Sequence, residues 1–305
     1  MERRSVVTAV AGALAGSVGL PIPLARANEP KSHAPPGRSA GVVADDGTQL
    51  FHRDWGVGSP VVLVHGWALH ADFWEYLMMG LVERGFRAVA YDRRGHGRSE
   101  DPGTRFDFDR LADDLRALIE TLDLRGVTLV GHSMGGGEVI RYLSRHGAGR
   151  VARAVLIAPT LPLIVRAPDF PSGAERSLFD ALRAALMKDR AKWIGDNAAG
   201  FWGGAASPEL MEWGRWMPLQ CSLKAMVEAT YLMSETDFRP ELRRLRVPTL
   251  VIHGTADRSV PVELGRLTAS LLPQGRIVEY EGAPHGLPIT HGERLLGDVA
   301  ALMKT

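Results

Sequence analysis

The run Gly131-His132-Ser133-Met134-Gly135 sets a serine between two glycines in the pattern G-x-S-x-G. A serine hydroxyl is a weak nucleophile and needs a histidine to take its proton. That histidine needs an acid to fix its tautomer and orientation. Apolar residues Val127 to Val130 precede the serine, and a helical pattern over 135–146 follows it. In that context the glycines permit a turn too tight for side chains, which lifts the hydroxyl above the end of a sheet. Downstream, Asp257 follows the apolar run 247–252 in Gly254-Thr255-Ala256-Asp257, and His285 stands in Gly282-Ala283-Pro284-His285-Gly286. Both fall on loops after strands, where the catalytic groups of open α/β sheets gather. The chain order predicts a catalytic triad of Ser133, Asp257 and His285 for acyl transfer.

Acyl transfer also needs donors for the oxyanion. One is expected from the amide of Met134, directly after the nucleophile. The other is expected from Trp67, on the loop that follows the strand ending at His65-Gly66. Because backbone donors are indifferent to side chain, the Trp67 indole is left free to wall a pocket. The remaining histidines fit the base role less well. His65 precedes the serine, His253 sits at a strand end, His132 adjoins the nucleophile and should point away from it, and Gly95-His96-Gly97 reads as a turn. His291 is a further candidate in principle. No H-E-x-x-H spacing and no phosphate-binding glycine loop occurs, so neither a metal nor a nucleotide cofactor is expected.

These residues require a sheet to hold them. Asp45-Asp46-Gly47 between two β-prone runs predicts a hairpin within 42–55. Continuous apolar runs at 61–64, 88–91, 127–130, 151–157 and 247–252, with a further run at 276–280, predict buried parallel strands. Helical spacing marks 71–84, 108–124, 135–146, 261–272 and 290–303. The alternation of strand and helix is the pattern of a parallel sheet covered on both faces. It stops over about 160–240, a stretch rich in tryptophan and methionine that predicts an inserted helical cap. Most of that stripe should be cap core, with some of it lining an apolar acyl pocket.

Composition narrows the field. The chain has 305 residues, 45% hydrophobic, with a formal net charge of +1. That is a globular composition with no electrostatic footprint for nucleic acid. Cys221 is the single cysteine, so no intrachain disulfide is possible. Arg3-Arg4, an apolar run to Leu20 and Ala25-Arg26-Ala27 match a signal peptide of twin-arginine type over 1–27, followed by a linker at 28–40 and the main domain at 41–305. The apolar run is too short for a stable membrane span. Export to the periplasm or medium is expected, or a cytoplasmic location if the leader is not functional.

With those residues in place, the sequence resembles the bacterial arylesterases and cofactor-free haloperoxidases (perhydrolases) of the α/β-hydrolase superfamily. The matching runs are His65-Gly66-Trp67, Tyr91-Asp92-Arg93-Arg94-Gly95-His96-Gly97-Arg98-Ser99, Gly131 to Glu138, Val247 to Pro261 and Ala283-Pro284-His285-Gly286. The resemblance implies an α/β-hydrolase fold, mostly parallel and flanked by helices, with an inserted helical cap. It implies the triad Ser133, Asp257 and His285, with oxyanion donors at Trp67 and Met134. It also implies a small-molecule ester as substrate, no cofactor, and a side reaction forming peracids from hydrogen peroxide. Haloperoxidase-like members often carry proline after the aromatic residue of the oxyanion loop, where Ala68 stands here. Alternatives on the same residues are a perhydrolase, a lactonase or a non-catalytic binding protein. Oligomeric state is left open.

Overall fold

The computed structural model describes residues 41–104, 106–204 and 206–304. The expected leader at 1–27 and linker at 28–40 lie outside the described residues. The chain opens with the expected hairpin, β1 (Val42–Val43) antiparallel to β2 (Gln49–Leu50). Its turn is held by Asp46, whose carboxylate accepts from the Thr48 amide at 3.1 Å and hydroxyl at 2.7 Å. Next come β3 (His52–Trp55), β4 (Pro60–Val64), a 3-10 turn at Ala71–Trp74, α1 (Glu75–Glu83) and β5 (Arg87–Tyr91). Then follow α2 (Phe108–Thr121), β6 (Val127–His132), α3 (Met134–His146) and β7 (Val151–Ile157).

Four helices separate β7 from the rest of the sheet: α4 (Arg176–Trp202), α5 (Pro208–Leu219), α6 (Leu223–Glu235) and α7 (Arg239–Arg244). The alternation resumes with β8 (Thr249–Gly254), α8 (Val262–Leu271), β9 (Gly275–Tyr280), α9 (Leu287–Thr290) and α10 (Gly292–Met303). The main sheet has the order β3-β5-β4-β6-β7-β8-β9, with β3 antiparallel and the other neighbours parallel.

Two expected elements moved, each for a local reason. The run at 247–252 enters the ladder at Thr249, because Pro248 has no amide to give it. The helix expected over 290–303 begins at Gly292, since His291 (φ −127, ψ 30) leaves helical geometry and parts it from the short α9 before it.

Hydrophobic burial builds the core on both faces of the sheet. Leu111, Leu115, Leu118 and Ile119 of α2 join Val139 and Ile140 of α3 on one face. Leu77, Met78 and Leu81 of α1 join Leu295 and Val299 of α10 on the other. Val61 to Val64 of β4 are fully buried between them. The helical insertion has its own small core, in which Leu186, Ile194, Cys221 and Met226 pack with Ala68 and Trp67. As expected, much of the aromatic and methionine stripe is buried, including Trp202, Met217 and Met226, although Met187 and Trp216 face outward.

Candidate active site

The chain passes from β4 to β5 on one side and then returns to β6 on the other, so a crevice opens at the carboxyl ends of β4 and β6. Their register sets Val64 opposite Gly131, which brings the residues just beyond each strand side by side. A Cβ at Gly66 would lie 3.2 Å from Ser133 Cβ, so the Gly66-Trp67 loop runs directly against the serine. At the end of β6 the backbone turns sharply. Ser133 has φ 54 and ψ −122, a left-handed conformation that a non-glycine residue holds only under strain. Its amide donates to Ile157 O at 2.8 Å, and its carbonyl accepts from Gly136 N at 3.0 Å. A Cβ at Gly131 would fall 2.6 Å from Gly135 O, so that position has no room for a side chain.

Asp257 lies three residues beyond β8. Its Oδ1 accepts from the amides of Ser259 and Val260, each at 2.8 Å. Its Oδ2 accepts from His285 Nδ1 at 2.6 Å. Burial works to raise the Asp257 carboxyl, but His285, His253 and the Val260 amide outweigh it and hold the group below the ordinary carboxylate range. With Nδ1 engaged, Nε2 is the nitrogen of His285 left to accept a proton. The carbonyl of His285 accepts from His132 Nε2 at 3.1 Å, and the two rings are 4.7 Å apart. His285 is thereby brought beside the residue that precedes Ser133.

His132, which adjoins Ser133 in the chain, packs its ring beside that of His285. It stays on the end of β6 with Phe73, 5.1 Å away, and supports the loop that carries His285. Burial pushes its imidazole well below the usual value, so it is neutral. The other histidines have different duties. His253 Nε2 donates to Val260 O at 3.0 Å, with Asp257 Oδ2 farther off at 3.4 Å. His96 is buried with Nδ1 2.9 Å from Arg94 O, and His291 bonds Thr290 Oγ1 at 2.9 Å. His65 is fully buried and accepts from the Arg93 amide at 3.0 Å.

Met134 is the first residue of α3, and a helix leaves its first four amides without internal partners. Among the described residues, neither its amide nor that of Trp67 donates to a backbone acceptor. The Trp67 side chain, however, is not free. Its Nε1 donates to Met226 O of α6 at 2.8 Å, and its ring meets Trp193 of α4 edge-on at 5.5 Å. The sequence could not show this, because the partners lie more than a hundred residues away. Ala68, next in the loop, is buried at φ 56.

The end of α4 covers the site from above. Gly286 N donates to Phe201 O at 2.8 Å, and the Phe201 ring stands perpendicular to His285 at 5.3 Å. Ser133 is left 5% exposed and His285 3%. Below the site, Arg93 and Glu138 are fully buried and paired at 2.7 Å. In the sequence they stood out only as members of matching runs, since isolated charges read as surface.

Cys221 is buried in the insertion, its Sγ donating to Ser222 O at 3.4 Å, and burial pushes its thiol up to about 12. Among the described residues no cluster of His, Cys, Asp or Glu is arranged to hold a metal, and no helix is long and apolar enough to cross a membrane.

Comparison with known proteins agrees with this architecture. The model of the alpha/beta hydrolase family matches residues 61–298. A non-heme chloroperoxidase from Streptomyces lividans is 42% identical over 273 residues, covering 87% of this chain and 99% of that protein. A bifunctional esterase/perhydrolase from Acinetobacter calcoaceticus is 39% identical over 274 residues, covering 87% and 99%. Among solved structures, a bromoperoxidase from Bacillus anthracis superimposes with a TM-score of 0.82 at 35% identity, covering 85% of this chain and 96% of that one. An esterase from Exiguobacterium antarcticum does so at 0.84 and 29%, covering 87% and 98%. Sheet order, strand-end crevice and near-complete alignment lead to one assignment: this chain belongs to the alpha/beta hydrolase family.

Proposed function

We propose that this protein hydrolyses small carboxylic esters through an acyl-enzyme intermediate on Ser133. The observation that carries the reading is the 2.6 Å bond from His285 to Asp257 beside a serine held in a strained strand-to-helix turn. In this mechanism His285 Nε2 takes the Ser133 proton as Oγ attacks the ester carbonyl carbon. The carbonyl π pair moves onto oxygen, and the amides of Trp67 and Met134 receive that oxyanion. Collapse expels the alcohol, which takes the proton from His285 and leaves an acyl-Ser133 ester. Water, deprotonated by His285, repeats the attack and releases the acid. Asp257, held ionised, stabilises the imidazolium formed in each half-reaction.

The test pairs fluorophosphonate labelling, mapped to a peptide, with turnover of a small aryl ester. The expected result is a single modified Ser133 and a Ser133→Ala variant slower by about 10⁴-fold or more. Wild-type turnover by that variant would rule the mechanism out.

A second reading uses the same acyl-enzyme with hydrogen peroxide in place of water, releasing a peracid. The name of the Acinetobacter relative favours it. Ala68 weighs against a dominant peroxide reaction. Its φ of 56 is closed to a proline ring, which is fixed near −65°, so this loop cannot carry the proline often present in haloperoxidase-like proteins without being rebuilt.

A further inference from the structure

Arg93 is the least expected charge in the molecule, a fully buried guanidinium beneath the nucleophile loop. It sits two residues past β5 and is anchored by Nε to Glu138 Oε2 of α3 at 2.7 Å. Its remaining donors face the turn that follows β4. Nη2 donates to His65 O at 2.8 Å, and Nη1 lies between Gly66 O at 3.4 Å and His65 Nδ1 at 3.2 Å. The Arg93 amide donates to His65 Nε2 at 3.0 Å, which puts the ring proton of that neutral imidazole on Nδ1. Nδ1 then donates to Gly66 O at 2.8 Å. Both sides of the His65-Gly66 turn are thus held by one residue, directly and through the ring it orients.

The consequence follows from the planarity of the peptide. In a trans peptide the carbonyl of Gly66 and the amide of Trp67 point in opposite directions and turn as one rigid unit. Donors that hold Gly66 O down toward Arg93 therefore fix the direction of the Trp67 N–H. A Cβ at Gly66 would come within 3.2 Å of Ser133 Cβ, so that peptide lies against the nucleophile. Glu138, from the same helix whose first residue is Met134, ties the arginine to the element that supplies the other amide.

We propose that Arg93, working with His65, is a positioning residue that aims the Trp67 amide at the oxyanion. It touches no substrate atom and supplies nothing to the ground-state complex, so its loss should fall on the chemical step. This rests on the hydrolytic reading above.

Two variants test it. Arg93→Lys keeps a cation opposite Glu138 but has no planar fork to span the two carbonyls. In the double variant Arg93→Met with Glu138→Met, no buried charge is left unpaired, a change that proteins often tolerate. For each, kcat and KM for a small aryl ester are measured per active site, counted by end-point fluorophosphonate labelling. Affinities for a boronic acid, which needs the oxyanion donors in its tetrahedral adduct, and for the carboxylate product are measured alongside, with Ser133→Ala run in parallel.

The expected result is a fall in kcat of about 100-fold with KM little changed, the order of loss for a misplaced oxyanion donor. Boronate affinity should fall in step while product affinity holds. A purely structural role would reduce the labelled fraction and leave kcat per site alone. Wild-type kcat per site in either folded variant, or a loss confined to KM, would overturn the assignment of Arg93 while leaving the hydrolytic reading intact. Turnover retained by Ser133→Ala would instead remove that reading and the role of Arg93 with it.

Discussion

Ser133 occupies a backbone conformation that suits glycine, with φ at 54 and no left-handed neighbour in its helix to share the strain. Strain of this type amounts to about 1–3 kcal/mol and persists where surrounding bonds over-determine it. Here those bonds are the Ile157 and Gly136 contacts of the serine backbone. Two variants that lack the hydroxyl separate the strain from the proposed chemistry. Ser133→Gly should melt above Ser133→Ala by about 2–4 °C, the shift expected for about 1 kcal/mol in a domain of this size. Equal melting temperatures would show that the turn is not strained. The proposed nucleophile, acid and base could be named from the sequence because each sits in a short run whose type and order suit that chemistry. Arg93 and Glu138 were not, since their meaning depends on burial and on a partner 45 residues away.

Continuous apolar runs made the parallel strands readable, because a strand buried on both faces has no polar side to display. Limits of elements were harder to read where a single residue decides them, as Pro248 does at β8 and His291 does between α9 and α10. The insertion was visible as an interruption of the alternation, yet its attachment to the site was not. The Trp67 indole bonds α6 through Met226 O, so one residue belongs at once to the loop proposed to hold the oxyanion and to the helical cover. Trp67→Phe keeps an aromatic ring against Trp193 and removes that bond. The expected outcome is faster hydrogen exchange in α6 and a kcat lowered by about tenfold, less than a full misplacement of the donor. If α6 exchanges as before and kcat is unchanged, loop and cover are independent.

Across the whole molecule, His65, His96 and His132 are fully buried outside the proposed triad and share one electrostatic effect. Burial drives each down from the ordinary 6.5, His96 to about 3. The unfolded chain therefore binds protons below pH 6.5 that the folded protein refuses. Stability is full above that value and declines as pH falls, by about 1.4 kcal/mol per pH unit for each such histidine. Asp114 and Glu138, pushed up by burial, act in the opposite sense but each is paired with an arginine. A melting temperature lower at pH 5 than at pH 7.5 is expected, and an unchanged one would mean that the histidines are hydrated when folded.

The helical cover is fastened at two points that matter, Met226 O to the Trp67 indole and Phe201 O to the Gly286 amide. One fastening holds the strand-end loop beside Ser133 and the other holds the loop of His285. Such a cover is not an interchangeable module. Grafting the insertion of another protein between β7 and β8 would replace both fastenings, so under the proposed hydrolytic function a transplant meant to change which esters are accepted would also retune the rate at which any of them is cut. Exchanges in this segment that keep an acceptor at each point should leave both loops in place.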